Sequence, residues 1–349
     1  MTVPFYTSTR EYAARRDEFD SAVRSVMERG DFILGSEVAE FEREAAAWLG
    51  VKYAVAVASG SDALVIAADL LGFRDGVEVL TPTFTFFAST SCVSRLGGKP
   101  VLVDLDPETL NMDLRDAERR MTKNTKGIIP VHLFLQPTPM QAVTDLAGKH
   151  GLRVLEDAAE AWGMDCLVDG RWRKAGTVGE IGIYSFFPTK TLGAYGDAGL
   201  MVTDDEELYR KIKSYRVHGS SVKYHHDYVG YNSRLDTLQA AILRVKMRTT
   251  DAAIAARARH GAHYTDCLSR IPGLRLPKVL PGGKPVYYVF NIFAPRRDEL
   301  AAFLKEKGIG TSIYYPIPLH LQKCFRYLGY KKGDFPNAER ACGEVLALP

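Results

Sequence analysis

SFFPTKTLGAYGDAG, residues 185–199, sets one lysine, Lys190, behind two phenylalanines and a proline. Gly193, Gly196 and Gly199 follow, with Asp197 among them. The run begins inside IGIYSFF (181–187) and ends in GLMVTDD (199–205), two stretches of strand length rich in branched and aromatic residues. The lysine therefore falls on a glycine-rich loop between two candidate strands. Glycines permit tight turns and close approach of a ligand. A lysine in a partly desolvated pocket has its pKa lowered and becomes a nucleophile for carbonyls. The competing reading is an ordinary solvent-facing loop lysine, and the rest of the chain has to decide between them.

Working outward, five more runs read as strands: YAVAVA (53–58), VEVLTP (77–82), KPVLVDLD (99–106), GIIPVHLF (127–134) and RVLEDAA (153–159). Helical patterns lie between most of them, including SDALVIAADLLG and MQAVTDLAGKHG, the second ending on a glycine suited to a helix C-terminus. Val- and Ile-rich strands alternating with helices predict an α/β fold with a mostly parallel seven-stranded sheet covered on both faces. After residue 205 the pattern changes. DEELYRKIKSYRV reads as a charged surface helix, and the chain from Leu235 through SRI keeps helical periodicity for many turns. YYVFNIFAP, RDELAAFLKEKGI and TSIYYP then read as strand, helix, strand. The expected division is a large domain at 1–245 and a smaller C-terminal α+β domain at 246–349, the boundary lying inside the long helix.

Ligands in open α/β sheets bind at the carboxyl ends of strands. Three polar features fall there: Ser59-Gly60-Ser61 after YAVAVA, Glu156-Asp157 closing RVLED, and Ser185 to Lys190. A Ser-Gly-Ser turn opening a helix offers free N–H groups and the positive helix end to a phosphate. Taken alone, it reads better as a helix cap by Ser61 or Asp62. A lone strand-end Asp157 reads better as a loop carboxylate. It can also pair with a cationic ring nitrogen, a metal or an arginine, with the small Ala158 and Ala159 leaving room for a flat ligand and Glu160 within reach of it. Together, a phosphate cradle, an acid for a ring nitrogen and a carbonyl-binding lysine are the parts that pyridoxal phosphate requires. TPTFTFFAST adds Phe86 as the aromatic over the ring, against the reading of a core phenylalanine.

Composition narrows the alternatives. The 349 residues are 46% hydrophobic and 25% charged with a net charge of +3, which is ordinary for a soluble globular protein and points to no nucleic-acid partner. Five scattered cysteines without a CxxC pair fit free thiols in a reducing compartment. No apolar run follows a basic start and none approaches the ~20 residues that span a bilayer, so the expected setting is cytoplasmic, without membrane attachment. The glycines at 193, 196 and 199 are spaced GxxGxxG, not the GxGxxG of a nicotinamide fold, and no P-loop motif occurs. His225 and His226 are adjacent, not at i, i+4, which argues against a zinc centre. No metal site is expected.

These motifs, with FILGSEVAEFE, IIPVHLFLQP, YNSRLDTLQAAILRVK and YYPIPLHLQ, resemble the DegT/DnrJ/StrS family of sugar aminotransferases, within the aspartate aminotransferase-like (fold type I) enzymes. The matching stretches cover nearly the whole chain. The resemblance implies a transfer of the amino group of L-glutamate to a nucleotide-linked keto sugar by way of pyridoxamine phosphate, for amino-sugar biosynthesis. Lys190 resembles the lysine that bonds to the cofactor, Asp157 the partner of the ring nitrogen, and Ser185 the phosphate-binding hydroxyl, with Gly60 and Ser61 supplying the turn. Phe86 matches the stacking aromatic, and Glu160 stands near the ring hydroxyl where Gln is frequent. Asn232 looks like the asparagine that reaches the other subunit's cofactor, which implies a homodimer. Arg234, Tyr314 and His320 are implied as substrate contacts. Two departures stand out: Leu135 replaces a usual glycine before Gln136, and Tyr314 replaces the histidine of an HYP motif. The run VHGSSVKYHHDYVGYNSRLD, near Arg216 and His218, is suited to a nucleotide diphosphate and is most similar to enzymes acting on UDP-linked 3-keto sugars, with 4-keto and dTDP-linked substrates open. Dehydratases on this fold carry histidine in place of the lysine, so Lys190 opposes that alternative. A non-catalytic cofactor-binding regulator is the other alternative.

Overall fold

The computed structural model describes residues 2–349. All seven expected strands form: β1 (Tyr53–Val57), β2 (Glu78–Pro82), β3 (Lys99–Val103), β4 (Thr125–Ile128), β5 (Arg153–Asp157), β6 (Ile181–Ser185) and β7 (Gly199–Thr203). They make one sheet in the order β1-β7-β6-β5-β4-β2-β3. β7 runs antiparallel to both its neighbours, β1 and β6, and the remaining pairs are parallel. The carboxyl ends of β1, β2, β5 and β6 therefore lie on one rim, where β7 begins.

The strand sequences explain why both faces are covered. Ala54, Ala56, Tyr184, Leu200 and Val202 enter one core with Phe41 and Leu243 from helices Ser36–Leu49 and Thr237–Met247. Their alternates Val55, Val57, Ile183 and Met201 enter a second core with Leu64 and Ile66 of helix Gly60–Leu70 and Ile212 of helix Glu206–Tyr215. Alternation by two thus feeds two separate cores from the same strands. Gly151, at φ 65°, ends helix Met140–His150 in the left-handed conformation that the sequence reading required.

The C-terminal part departs from expectation in two places. The long helix is broken: Thr237–Met247 and Thr250–Leu268 are separate elements. Thr249, at φ −120°, bonds back to the Lys246 carbonyl at 3.2 Å and accepts from Arg15 Nη1 at 2.8 Å, so its hydroxyl competes with helix continuation. TSIYYP forms no strand; only Ser312 bridges, to Ala347. The strand Phe290–Phe293 pairs instead with the chain's last apolar run, Val345–Leu348, in antiparallel register. Pro316 and Pro318 offer no N–H for a ladder, and Tyr314 and Tyr315 turn toward a cavity at the sheet rim. A further three-stranded antiparallel patch joins 165–168, 171–174 and 283–284. No helix among the described residues is long and apolar enough to cross a membrane.

Candidate active site

The rim encloses a cavity of about 430 Å³. Gly60 and Ser61 reach it from the end of β1, Phe86 from beyond β2, Asp157 and Glu160 from β5, and Ser185 and Lys190 from β6. Tyr288, Tyr314 and Tyr315 close it from the C-terminal part. A larger opening of about 690 Å³ lies beyond Tyr288 and Tyr314, lined by Arg257 and Tyr264, but it contains neither carboxylate nor the lysine.

Lys190 is held by charge. Its Nζ lies 3.1 Å from Glu160 Oε1 and 4.4 Å from the centre of the Tyr288 ring. The second Glu160 oxygen accepts from the Phe134 N–H at 2.9 Å, in a residue at φ 63°, so Glu160 fixes both the lysine and a left-handed turn. Burial alone would push the Lys190 ammonium down, but Glu160, Tyr288 and Asp157 outweigh it and the net direction is up. The lowered pKa expected of a desolvated lysine is thus corrected: its counter-charge keeps it an ammonium.

Asp157 is 3% exposed. Its Oδ2 accepts from Ser89 Oγ at 2.6 Å and its Oδ1 from the Ala159 N–H at 3.1 Å. Burial pushes its pKa up against these bonds and against Lys190, with Glu160 adding to the rise. No described cation lies within ion-pair distance of it. A buried carboxylate with two hydrogen bonds and no cation suits a protonated ring nitrogen.

The phosphate end is built by close approach. Ser59, not Ser61 or Asp62, caps the helix: its side chain accepts from the Asp62 N–H at 3.1 Å. Ser61 is left free at the first turn, whose N–H groups have no acceptor within the helix. Ser185 Oγ accepts from the Phe187 N–H at 3.3 Å, which leaves its proton to donate. A Cβ on Gly60 would stand 2.7 Å from Ser185 Cβ, so only glycine lets the two elements meet. Gly60→Ala is expected to cost about 1–3 kcal/mol of stability by overpacking and to weaken pyridoxal phosphate binding. Thermal melts with and without the cofactor measure both, and an unchanged cofactor shift would remove Gly60 from the cradle. Phe86 is 55% exposed and faces the cavity, which excludes the core reading. The residues present fit pyridoxal phosphate: a phosphate cradle, an uncompensated carboxylate, an exposed aromatic face and an amine converge on one cavity.

Other expectations fall elsewhere. Tyr314 lines the cavity, but His320 does not: it is 1% exposed, with its ring nitrogens 3.0 Å from Thr83 Oγ1 and 3.0 Å from Glu339. It joins the C-terminal part to the end of β2 and has no free nitrogen for a substrate. Arg216 is buried, with its Nη1 bonded to Glu42 and the Ala56 carbonyl, and it does not line the cavity. Asn232 is exposed and Arg234 half-buried, and neither lines the cavity of this chain. Gln136, beside Leu135, is buried and bonds the Lys278 carbonyl at 2.7 Å. Ser89, Tyr288 and Tyr315 lie within the quoted stretches TPTFTFFAST, YYVFNIFAP and YYPIPLHLQ, but nothing in those stretches separates them from their neighbours as site residues.

The matches to known proteins agree along the whole chain. A pleiotropic regulatory protein of Geobacillus stearothermophilus is 46% identical, over 100% of this chain and 93% of that protein. A UDP-N-acetyl-3-dehydro-α-D-glucosamine 3-aminotransferase of Acidithiobacillus ferrooxidans is 41% identical, over 99% of this chain and 92% of that protein. Among solved structures, DesV of S. venezuelae in complex with a ketimine intermediate superposes with a TM-score of 0.96 at 38% identity, covering 100% of this chain and 93% of that one. The signature of the DegT/DnrJ/EryC1/StrS aminotransferases matches residues 14–349, and the chain belongs to that family.

Proposed function

We propose that this protein is a pyridoxal phosphate-dependent aminotransferase that moves an amino group from L-glutamate to a nucleotide-linked keto sugar. The observation that carries the reading is the convergence of Lys190, Asp157, Ser185 and the Gly60-Ser61 turn on one cavity. Bound there, the cofactor supplies an aldehyde for the amine and a ring that accepts the electron pair left on the donor carbon. Asp157 holds negative charge at the ring nitrogen. Ser185 and the turn after β1 hold the phosphate, and Phe86 covers a ring face. Lys190, with its amine free of the cofactor and neutral, would take the proton from the donor's α-carbon at Nζ and return it as an acid. Tyr288, Tyr314 and Tyr315 limit water at that atom. Donor and acceptor use the same residues in turn, so ping-pong kinetics are expected.

Relatives named for this chemistry act at carbon 3: the Acidithiobacillus enzyme above, and a dTDP-3-amino-3,4,6-trideoxy-α-D-glucose transaminase of Streptomyces venezuelae at 38% identity. A 3-keto sugar on UDP or dTDP is the reading they support. We assign the protein to the cytoplasm as a homodimer, in which the exposed Asn232 and the half-buried Arg234 serve the partner's cavity. That placement accounts for their absence from the cavity of their own chain. The domain division at residue 245 stands as a reading close to the helix break at Arg248-Thr249.

Adding pyridoxal phosphate should produce a visible absorbance band that L-glutamate bleaches, with release of one 2-oxoglutarate per site. A band that ignores glutamate would favour the second reading, a binding-only regulator, which the name of the Geobacillus relative recommends. The Lys190–Glu160 pair adds a pH dependence. The ammonium is held above its ordinary pKa, so capture of the aldehyde at neutral pH is slow and speeds up as pH rises toward that pKa. Glu160→Gln removes the counter-charge and is expected to shift the rising limb to lower pH, read by stopped-flow absorbance after mixing with pyridoxal phosphate.

A further inference from the structure

We infer that Ser89 is a positioning residue for Asp157, fixing the orientation of its carboxyl group and holding it ionised for a cationic ring nitrogen. The inference rests on the cofactor reading above for the identity of that cation, but its first half concerns only Ser89 and Asp157.

Ser89 lies in the first turn of helix Ala88–Arg95 and is 1% exposed. Its hydroxyl has one proton and three acceptors within reach, Asp157 Oδ2 at 2.6 Å, Thr85 Oγ1 at 3.0 Å and the Phe86 carbonyl at 3.2 Å. The shortest contact is to the charged group, and charge-assisted O–H···O⁻ bonds run about 2.5–2.7 Å, so the proton goes to Asp157. Thr85 Oγ1, 3.0 Å from Ser89 Oγ, must then donate to it. Thr85, Ser89 and Asp157 form a one-way hydrogen-bond chain aimed at the carboxylate. The Ala159 N–H holds the other oxygen. With one bond on each oxygen, the carboxyl plane is set and cannot turn without breaking both. Because Phe86 precedes Ser89 by three residues on the same turn, the ring-facing aromatic and the carboxylate are aligned by one short segment.

The charged and titratable groups around Asp157 are Lys190 and Glu160 in the cavity, Cys92 on the same helix as Ser89, and Tyr315. Lys190 is engaged by Glu160 and Cys92 is an unionised buried thiol, so Ser89 is the main side-chain donor that favours the charged form. Without it, burial makes the carboxylate a stronger base, and a shared proton moves from the ring nitrogen to Asp157.

The test uses Ser89→Ala and Ser89→Thr, with Asp157→Asn alone and combined with Ser89→Ala. In protein without added cofactor, the ¹³C-carboxyl titration of Asp157 is followed by NMR, assigned with Asp157→Asn. Ser89→Ala is expected to raise the Asp157 pKa by about one to two units, the scale of losing one hydrogen bond to a charged group. Ser89→Thr, which keeps the hydroxyl, should titrate as the parent does. Pyridoxal phosphate affinity should fall about tenfold in Ser89→Ala and show no further fall when Ser89→Ala is added to Asp157→Asn. An Asp157 titration that Ser89→Ala leaves unmoved overturns the inference, as does an equal affinity loss from Ser89→Ala in the Asp157→Asn background. If Asp157→Asn alone leaves cofactor affinity unchanged, the ring-partner reading fails, while the carboxyl titration still decides the Ser89–Asp157 link.

Discussion

Lys190→Ala is expected to lower single-turnover conversion of L-glutamate to 2-oxoglutarate by about 10⁴-fold or more, because one residue is both nucleophile and proton carrier. The visible band formed with pyridoxal phosphate should vanish, while weaker non-covalent binding through Ser185 and the Gly60-Ser61 turn persists. The substitution has a second consequence. It leaves the Glu160 carboxylate buried, 7% exposed, without its cation, and an unpaired buried charge destabilises a fold. Comparing Lys190→Ala with the double variant Lys190→Ala, Glu160→Gln separates the two effects. The double variant should regain thermal stability and no turnover. Glutamate conversion at the parental rate in Lys190→Ala would end the proposed mechanism.

Asp157→Asn should reduce the same half-reaction by about 10²–10³-fold, the usual scale for losing one preorganised electrostatic partner. The change is nearly isosteric: the amide oxygen can keep the Ala159 N–H, while the amide NH2 takes the place of the oxygen that Ser89 bonds, so Ser89 must turn its hydroxyl to accept. What is lost is the negative charge that keeps a proton on the ring nitrogen. Burial already pushes Asp157 toward its neutral form. In the parent protein, activity should therefore fall on acidification as Asp157 takes up a proton, and that acid limb should be absent in the Asn variant. An Asn variant with the parental rate and acid limb would show that the carboxylate does not serve the ring.

The parts of this arrangement that local pattern controls were readable in advance. All seven strands of the large sheet follow from runs of Val, Ile and Leu bounded by turns, and the site residues on the rim follow from where those strands stop. The direction of β7 carried a signal that went unused. The loop from β6 to β7 has glycines and no helical period, and a parallel crossover would need a helix there. The C-terminal pairing was not readable, since VLAL is too short to separate from a helix end, and TSIYYP has strand composition but carries its tyrosines to the cavity. The helix break depends on Arg15, 234 residues away in sequence, holding a threonine hydroxyl. His320 and Arg216 show the same limit. Their residue types suit substrate binding, and only their three-dimensional neighbours reveal that His320 is bonded at both ring nitrogens and that Arg216 is buried against Glu42 and the Ala56 carbonyl. Ser89 shows the converse, an unremarkable serine given a task by a carboxylate 68 positions downstream.

The single reversal of direction in the sheet governs the order in which the site can be assembled. β6 and β7 are joined by the lysine-bearing loop and pair locally, with Ser185 opposite Gly199, so this hairpin needs little chain closure and can form early. β1 is an edge strand whose only partner is β7, with Val57 opposite Gly199. During synthesis it must wait, its ladder unpaired, until residue 203 has emerged. An unpaired apolar edge invites association with other chains. The phosphate turn thus settles late, since a nascent chain stopped short of Gly199 would hold β1 without the strand it pairs with.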